Sequence, residues 1–136
     1  MISFKNFTSS RKATKTPQQA LDTLNSIRPH DSQIQNIVPM HPNIETIGHA
    51  VNSVPSKSLV KGRWQKIDLD KTYSQQKHVD RAVLVSRIEK PQKRSAPVLA
   101  VHHKETGTNH LRNGNHDASE AILSGRKSMW ARVVDV

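Results

Sequence analysis

The residues best suited to chemistry stand together in Asn113-Gly114-Asn115-His116-Asp117. A glycine at a strand-to-helix junction adopts backbone angles closed to other residues and lets a ligand approach the main chain. The first N–H groups of the following helix have no partner within it, and the helix dipole favours an anion there, so a phosphate is the natural guest. In that setting Asn113 and Asn115 offer amide donors. His116 can donate to a phosphate oxygen or act as a general acid or base. The same residues also make an ordinary turn, with Asn115 or Asp117 capping the helix. Both readings stand at the level of spacing.

The elements that must position this turn follow from the pattern on either side. Trp64-Gln65-Lys66-Ile67-Asp68-Leu69 alternates as a half-buried strand does. Val79, Val83, Leu84 and Ile88 fit a helix from about Gln76 to Glu89, ended by Pro91. Residues 97–102 form a buried strand, the Glu105-to-Asn109 cluster turns, and His110-Leu111-Arg112 returns as its hairpin partner. A helix from His116 to about Ser124 buries Ala118, Ala121, Ile122 and Leu123, and Gly125 closes it. Met129 to Val134 is a last strand. The expected unit is a small α+β domain over residues 61–136. Residues 1–60 form an arm with one helix, at about 17–28, announced by Thr16 and Pro17 and ended at Pro29. The helix either binds a partner or packs on the domain. Residues 29–60, with Pro29, Pro39, Pro42 and Pro55, lack a clear period and read as a linker or a wrap around the core. Phe4 and Phe7 are the bulky anchors of the first fifteen residues.

This order of elements resembles the ParB/sulfiredoxin-like superfamily, and most of all the short ParB-like nuclease domains of phages and mobile elements. The likeness covers roughly the last 73 residues. Ile67-Asp68-Leu69 resembles the family's first strand, and Gln76, followed by Val79-Asp80, stands where a glutamine precedes the helix. Pro97-Val98 opens the middle strand. Gly114-Asn115-His116 matches the Gly-x-His turn, Ala118, Ala121 and Gly125 match the helix and its stop, and Lys127 to Val134 matches the final strand. The resemblance implies a mixed-sheet domain acting on DNA or a nucleotide such as ATP or CTP, with hydrolysis of a phosphodiester or nucleotide phosphate as its activity. Gln76 would contact the nucleotide or orient a water.

The family's phosphate-contacting arginine after the histidine is Asp117 here, and a carboxylate repels phosphate unless a metal or proton intervenes. Either His116 and Asp117 hold Mg2+ or Mn2+ for a nuclease, or the site is catalytically silent and the fold binds DNA, a host enzyme or a virion component, with residues 1–60 suited to wrapping a protein partner. In either case, nearby Arg112 or Arg126 could replace the missing cation. Asn115 occupies the place of the sulfiredoxin cysteine, which excludes sulfinic-acid repair. The absence of a separate helix-turn-helix region argues against a nucleotide-driven DNA clamp.

Composition sets the wider bounds. The 136 residues carry a formal charge of +10, with 6 basic and 3 acidic groups in residues 1–60 and 15 and 8 beyond. Such an excess favours polyanions. Lys90, Lys93 and Arg94 form a basic loop that lines a nucleic-acid groove or is simply solvated. No cysteine exists to form a disulfide, a thiolate zinc site or a nucleophile. No apolar run nears the roughly 20 residues of a membrane span, and the start lacks a signal-peptide stretch, so a cytoplasmic location is expected. His102 and His103 face opposite sides of their strand, and His110 across the hairpin gives a weak metal hint. Trp64 and Trp130 read as core or edge packing, or less readily as base-stacking platforms.

Overall fold

The computed structural model describes residues 14–27, 32–90 and 96–136. Phe4, Phe7, Pro29, Pro91, Lys93 and Arg94 lie outside the described residues. Alternation sets the sheet. β2 (Arg63–Asp68) and β7 (Ser128–Asp135) pair antiparallel, Trp64 opposite Arg132 and Ile67 opposite Met129. β5 (Leu99–His103) and β6 (Thr108–Asn113) form the expected hairpin. β7 runs parallel to β5, and the short β3 (Thr72–Ser74) runs parallel to β6. The result is a mixed five-stranded sheet in the order β2-β7-β5-β6-β3.

Residues 32–60 do more than link. β1 (Gln33–Gln35) pairs antiparallel with β4 (His78–Asp80), and α2 (Ile44–Asn52) and α3 (Ser56–Leu59) follow. Helix α1 (Pro17–Ile27) begins with a reciprocal capping box: Gln19 N–H donates to Thr16 Oγ1 at 3.1 Å, and Thr16 N–H donates to Gln19 Oε1 at 2.9 Å. The helix expected from Gln76 begins later, as α4 (Arg81–Glu89), because Val79 is taken by the β1 pairing and Asp80 caps the helix, accepting from Val83 N–H at 3.1 Å. Helix α5 (Asn115–Leu123) ends as expected. Gly125 adopts φ +82°, its N–H donates to Ile122 O, and Arg126 N–H donates to Ala121 O, a Schellman closure.

Each sheet face is covered. Ala118 and Ala121 of α5 pack on Ile67, Ala100, Leu111 and Ala131, with Val38 and Val98 beside them. On the opposite face Val51, Val54 and Leu59, from α2, α3 and their connection, cover Leu99 and Val101. Outside α5, Ala20 and Leu24 of α1 meet Leu84 and Ile88 of α4, together with Ile34, Val79 and Leu123. The small alanines let α5 approach the sheet closely, and apart from Met129 the described members of these clusters are aliphatic. No described helix is long and apolar enough to cross a membrane.

A buried histidine group closes the far end of the sheet. His110 is almost fully buried. Its Nε2 shares a hydrogen with Thr108 Oγ1 at 2.7 Å, and its Nδ1 has no hydrogen-bond partner. The rings of His41, Tyr73 and His103 lie 5.7, 6.0 and 6.5 Å away. Among the described residues no three His, Asp or Glu side chains are placed to hold a metal ion. Burial, reinforced by His41, His103 and His102, lowers the His110 pKa to about 4. The unfolded chain therefore takes up this proton first. Stability contributed by neutral His110 is complete above about pH 6.5 and is lost as pH falls toward 4, by about 3 kcal/mol at most. Thermal unfolding from pH 7 to pH 4 should show a steeper loss of Tm for the natural chain than for His110→Phe; equal slopes would refute this assignment.

Candidate functional site

The turn between β6 and α5 requires a glycine, both for its backbone angles and for the close packing of Val98 against it. Gly114 has φ +93°, and a Cβ there would sit 2.6 Å from Val98 Cγ2. Asn113 Oδ1 accepts from Gly114 N–H at 2.9 Å. The first intrahelical bond runs from Ala118 N–H to Gly114 O, so the N–H groups of Asn115, His116 and Asp117 are the ones helix geometry leaves without an acceptor in the helix. Beside them lies a polar cavity of about 280 Å3, lined by Gln76, Arg87, Pro97, Gly114, His116 and Asp117 among others.

Asn115 turns inward. Its Oδ1 accepts from Ser74 Oγ at 2.5 Å and from Asn36 Nδ2 at 3.1 Å, and its Nδ2 donates to Gln76 Oε1 at 3.2 Å. Asn36 continues the network. It donates to Gln76 O at 2.9 Å, and its Oδ1 accepts from Val38 N–H and from Ser119 Oγ, both at 3.0 Å. Gln76 Nε2 donates to His78 O at 2.8 Å. The amide expected to donate to phosphate is thus a buried structural joint, and Gln76, expected to meet a nucleotide or water, reaches the cavity wall with both ends of its side chain engaged.

His116 and Asp117 are also committed. His116 Nε2 accepts from Asp80 N–H at 3.0 Å, which leaves Nδ1 to carry the hydrogen of the neutral ring. Burial and then the Arg87 charge lower its pKa, against the opposing pull of Asp80 and Asp117. Asp117, 7 % exposed, pairs with Arg87 Nε at 2.8 Å. The carboxylate that departs from the family pattern thus faces a guanidinium from α4. With His116 Nε2 and Asp117 Oδ1 both engaged, a divalent cation held by these atoms would have to displace Asp80 N–H and Arg87.

The expected replacement cations are elsewhere. Arg112 points to the opposite sheet face, where its Nη1 donates to Val54 O at 2.8 Å and Val51 O at 3.3 Å and secures the end of α2. Arg126 lies past the other end of the nine-residue α5 and pairs with Glu120 at 2.8 Å. Lys90 is the exposed residue that ends α4 and does not line the cavity, and Lys93 and Arg94 fall outside the described residues. Arg87 was missed because it sits in an ordinary helix. Its one signal is position: three residues after buried Leu84 and next to buried Ile88, it borders the inward face of α4.

The chain is a mixed α+β protein with a mixed five-stranded sheet and five α-helices among the described residues. No protein-family model, curated protein or solved structure matches it.

Removing one member of the amide network strands the others in the interior. Asn36→Ala and Asn115→Ala should each lower unfolding free energy by about 2–4 kcal/mol. Their double mutant should cost less than the two losses added. Chemical denaturation of the three variants measures this, and strict additivity would show that the two amides do not act as a unit.

Proposed function

We propose that this protein is a phosphate-recognising binding module for nucleic acid or nucleotide, and that its turn binds without hydrolysing. The ParB/sulfiredoxin-like affinity suggested by the order of elements is part of this proposal. One observation carries it: at the start of α5 the Asp117 carboxylate is paired with Arg87, while His116 Nε2 is engaged by Asp80 N–H. Two consequences favour binding over catalysis. The ring nitrogen a general base would use is occupied, and the carboxylate a metal would use is neutralised by a guanidinium. The groups that remain suit an anion: the helix N–H groups and the Arg87 charge. The excess of ten positive charges supplies long-range attraction to a polyanion.

Binding would proceed by exchange. A phosphate oxygen entering the 280 Å3 cavity takes up backbone donors at the start of α5 and competes with Asp117 for Arg87. Asp117 therefore weakens the site for anions while keeping Arg87 in place.

Fluorescence anisotropy with labelled DNA and RNA, and calorimetry with ATP and CTP, test this reading. Arg87→Ala should weaken binding about tenfold or more, as loss of a charge-assisted contact does. Asp117→Asn should tighten it, and affinity should fall as salt rises. Incubation with plasmid, RNA or nucleotide and Mg2+ or Mn2+ should yield no product. Metal-dependent turnover abolished by His116→Ala would overturn the proposal.

A further inference from the structure

The two tryptophans lie on the face of the sheet that α2 and α3 cover elsewhere, Trp64 exposed and Trp130 partly buried beneath it. Trp64 is opposite Arg132 across the β2–β7 ladder, and Lys66 is opposite Trp130. The indoles stack across the strands at 5.9 Å with 11° between their planes. The Arg132 guanidinium lies 5.1 Å from the centre of the Trp64 ring. Trp64 is 50 % exposed, and among the described residues none of the three core clusters contains an aromatic side chain.

This placement runs against the usual economy of a small domain. A buried tryptophan contributes more apolar area than any other residue, and the molecule places both of its own outside the aliphatic core, between two cations. β2 is moreover an edge strand, bonded only to β7 in the sheet. We infer that this face, Trp64 and Trp130 flanked by Lys66 and Arg132, binds single-stranded nucleic acid, with a base on the exposed indole and the cations on the adjacent phosphates. Aromatic rings interleaved with basic side chains on an open sheet are what an unpaired strand needs, since any base presents a π face and every linkage a charge. A duplex hides its base faces and has no use for the indoles. Asp68, two residues beyond Lys66 on the same face, marks one limit of the surface; its carboxylate accepts from Asp70 N–H.

Arg132 gives the surface its selectivity for a charged partner. In the free protein its guanidinium rests on Trp64 and its Nη1 reaches Gly62 O at 3.4 Å. A base arriving at the indole displaces the guanidinium from the ring toward the phosphate of that same nucleotide. The surface also lies close to the turn. Leu99 pairs with both Asn113 and Arg132, and Arg132 pairs with Trp64, so the turn and the indole are in one row across the sheet, roughly 15 Å apart at strand spacing. The inference shares with the preceding reading only the polyanionic partner, and it stands on different residues.

Both tryptophans of the chain belong to this surface, so intrinsic fluorescence reports on it directly. Titration of the full chain with a twelve-nucleotide oligo-dT should quench the emission. A duplex of equal length should quench it far less, and ATP alone hardly at all. Labelled oligo-dT should bind Trp64→Ala and Arg132→Ala about tenfold more weakly. Trp64→Phe, which keeps a ring, should retain most of the affinity and shows that the loss is not misfolding. Unaltered binding by Trp64→Ala, equal quenching by duplex, or an emission change that tracks protein concentration without any oligonucleotide would each overturn the inference; the last would reveal a contact between copies. Arg87→Ala separates the two sites. Oligo-dT quenching that persists in it at saturation but at weaker affinity, with mononucleotide binding lost, supports both. Persistent quenching in a natural chain that binds no mononucleotide defeats the reading of the turn and leaves this one standing.

Discussion

The buried amide pair Asn36–Asn115 is the joint on which the rest of the molecule depends. The two side chains come from positions 79 residues apart and meet at 3.1 Å in the interior. Ser74, Gln76 and Ser119 complete their hydrogen bonding, so the joint gathers the segment after β1, the end of β3, the approach to β4 and the helix α5. Hydrogen bonds in such surroundings are strong when complete and costly when broken. That asymmetry fixes where α5 begins, and the start of α5 is where the candidate site lies. A residue that looked like a ligand donor is instead the peg that holds the backbone donors in place.

Electrostatics around α5 follow one pattern at both ends. Asp117 near its start is matched by Arg87, and Glu120 further along is matched by Arg126. Glu120 also accepts from Ser124 Oγ at 2.7 Å. Each carboxylate buried along the helix has an arginine beside it, because an uncompensated charge there would be expensive. At the first turn the acid also meets the positive end of the helix dipole.

The strands around the turn were legible because each declares itself locally. Ile67 alternates with polar neighbours, the cluster from Glu105 turns the hairpin with Thr108 and Asn109 already in β6, and Gly125 closes α5 with the left-handed residue the closure requires. Thr16 and Pro17 announce α1 in the same way. What escaped was set by distant partners. His78–Asp80 is a strand only because Gln33–Gln35 lies beside it, and α2 has meaning only as the cover for Leu99 and Val101. Arg112 and Arg126 lie away from the turn for a related reason. Arg112 stands one position before Asn113, but strand alternation sends it to the other face. Arg126 is close in sequence, but a nine-residue helix separates it from the turn by about 13 Å. Arg87 had only a helical phase to mark it. Direction, and not proximity along the chain, decided which cation reached Asp117.

The position of β7 has a consequence for how the fold is reached. Its residues, Ser128–Asp135, are the last strand in the chain, yet they lie between β2 and β5. Until they arrive, β2 has no neighbour in the sheet and the hairpin of β5 and β6 has one bare edge. The sheet is thus two separate pieces during synthesis and is joined by a single late insertion. Assembly of this kind closes long loops before it gains contacts, which slows folding. The aliphatic faces of both pieces stay exposed to other chains throughout the wait, so the molecule's greatest hazard of aggregation falls before its last strand is in place.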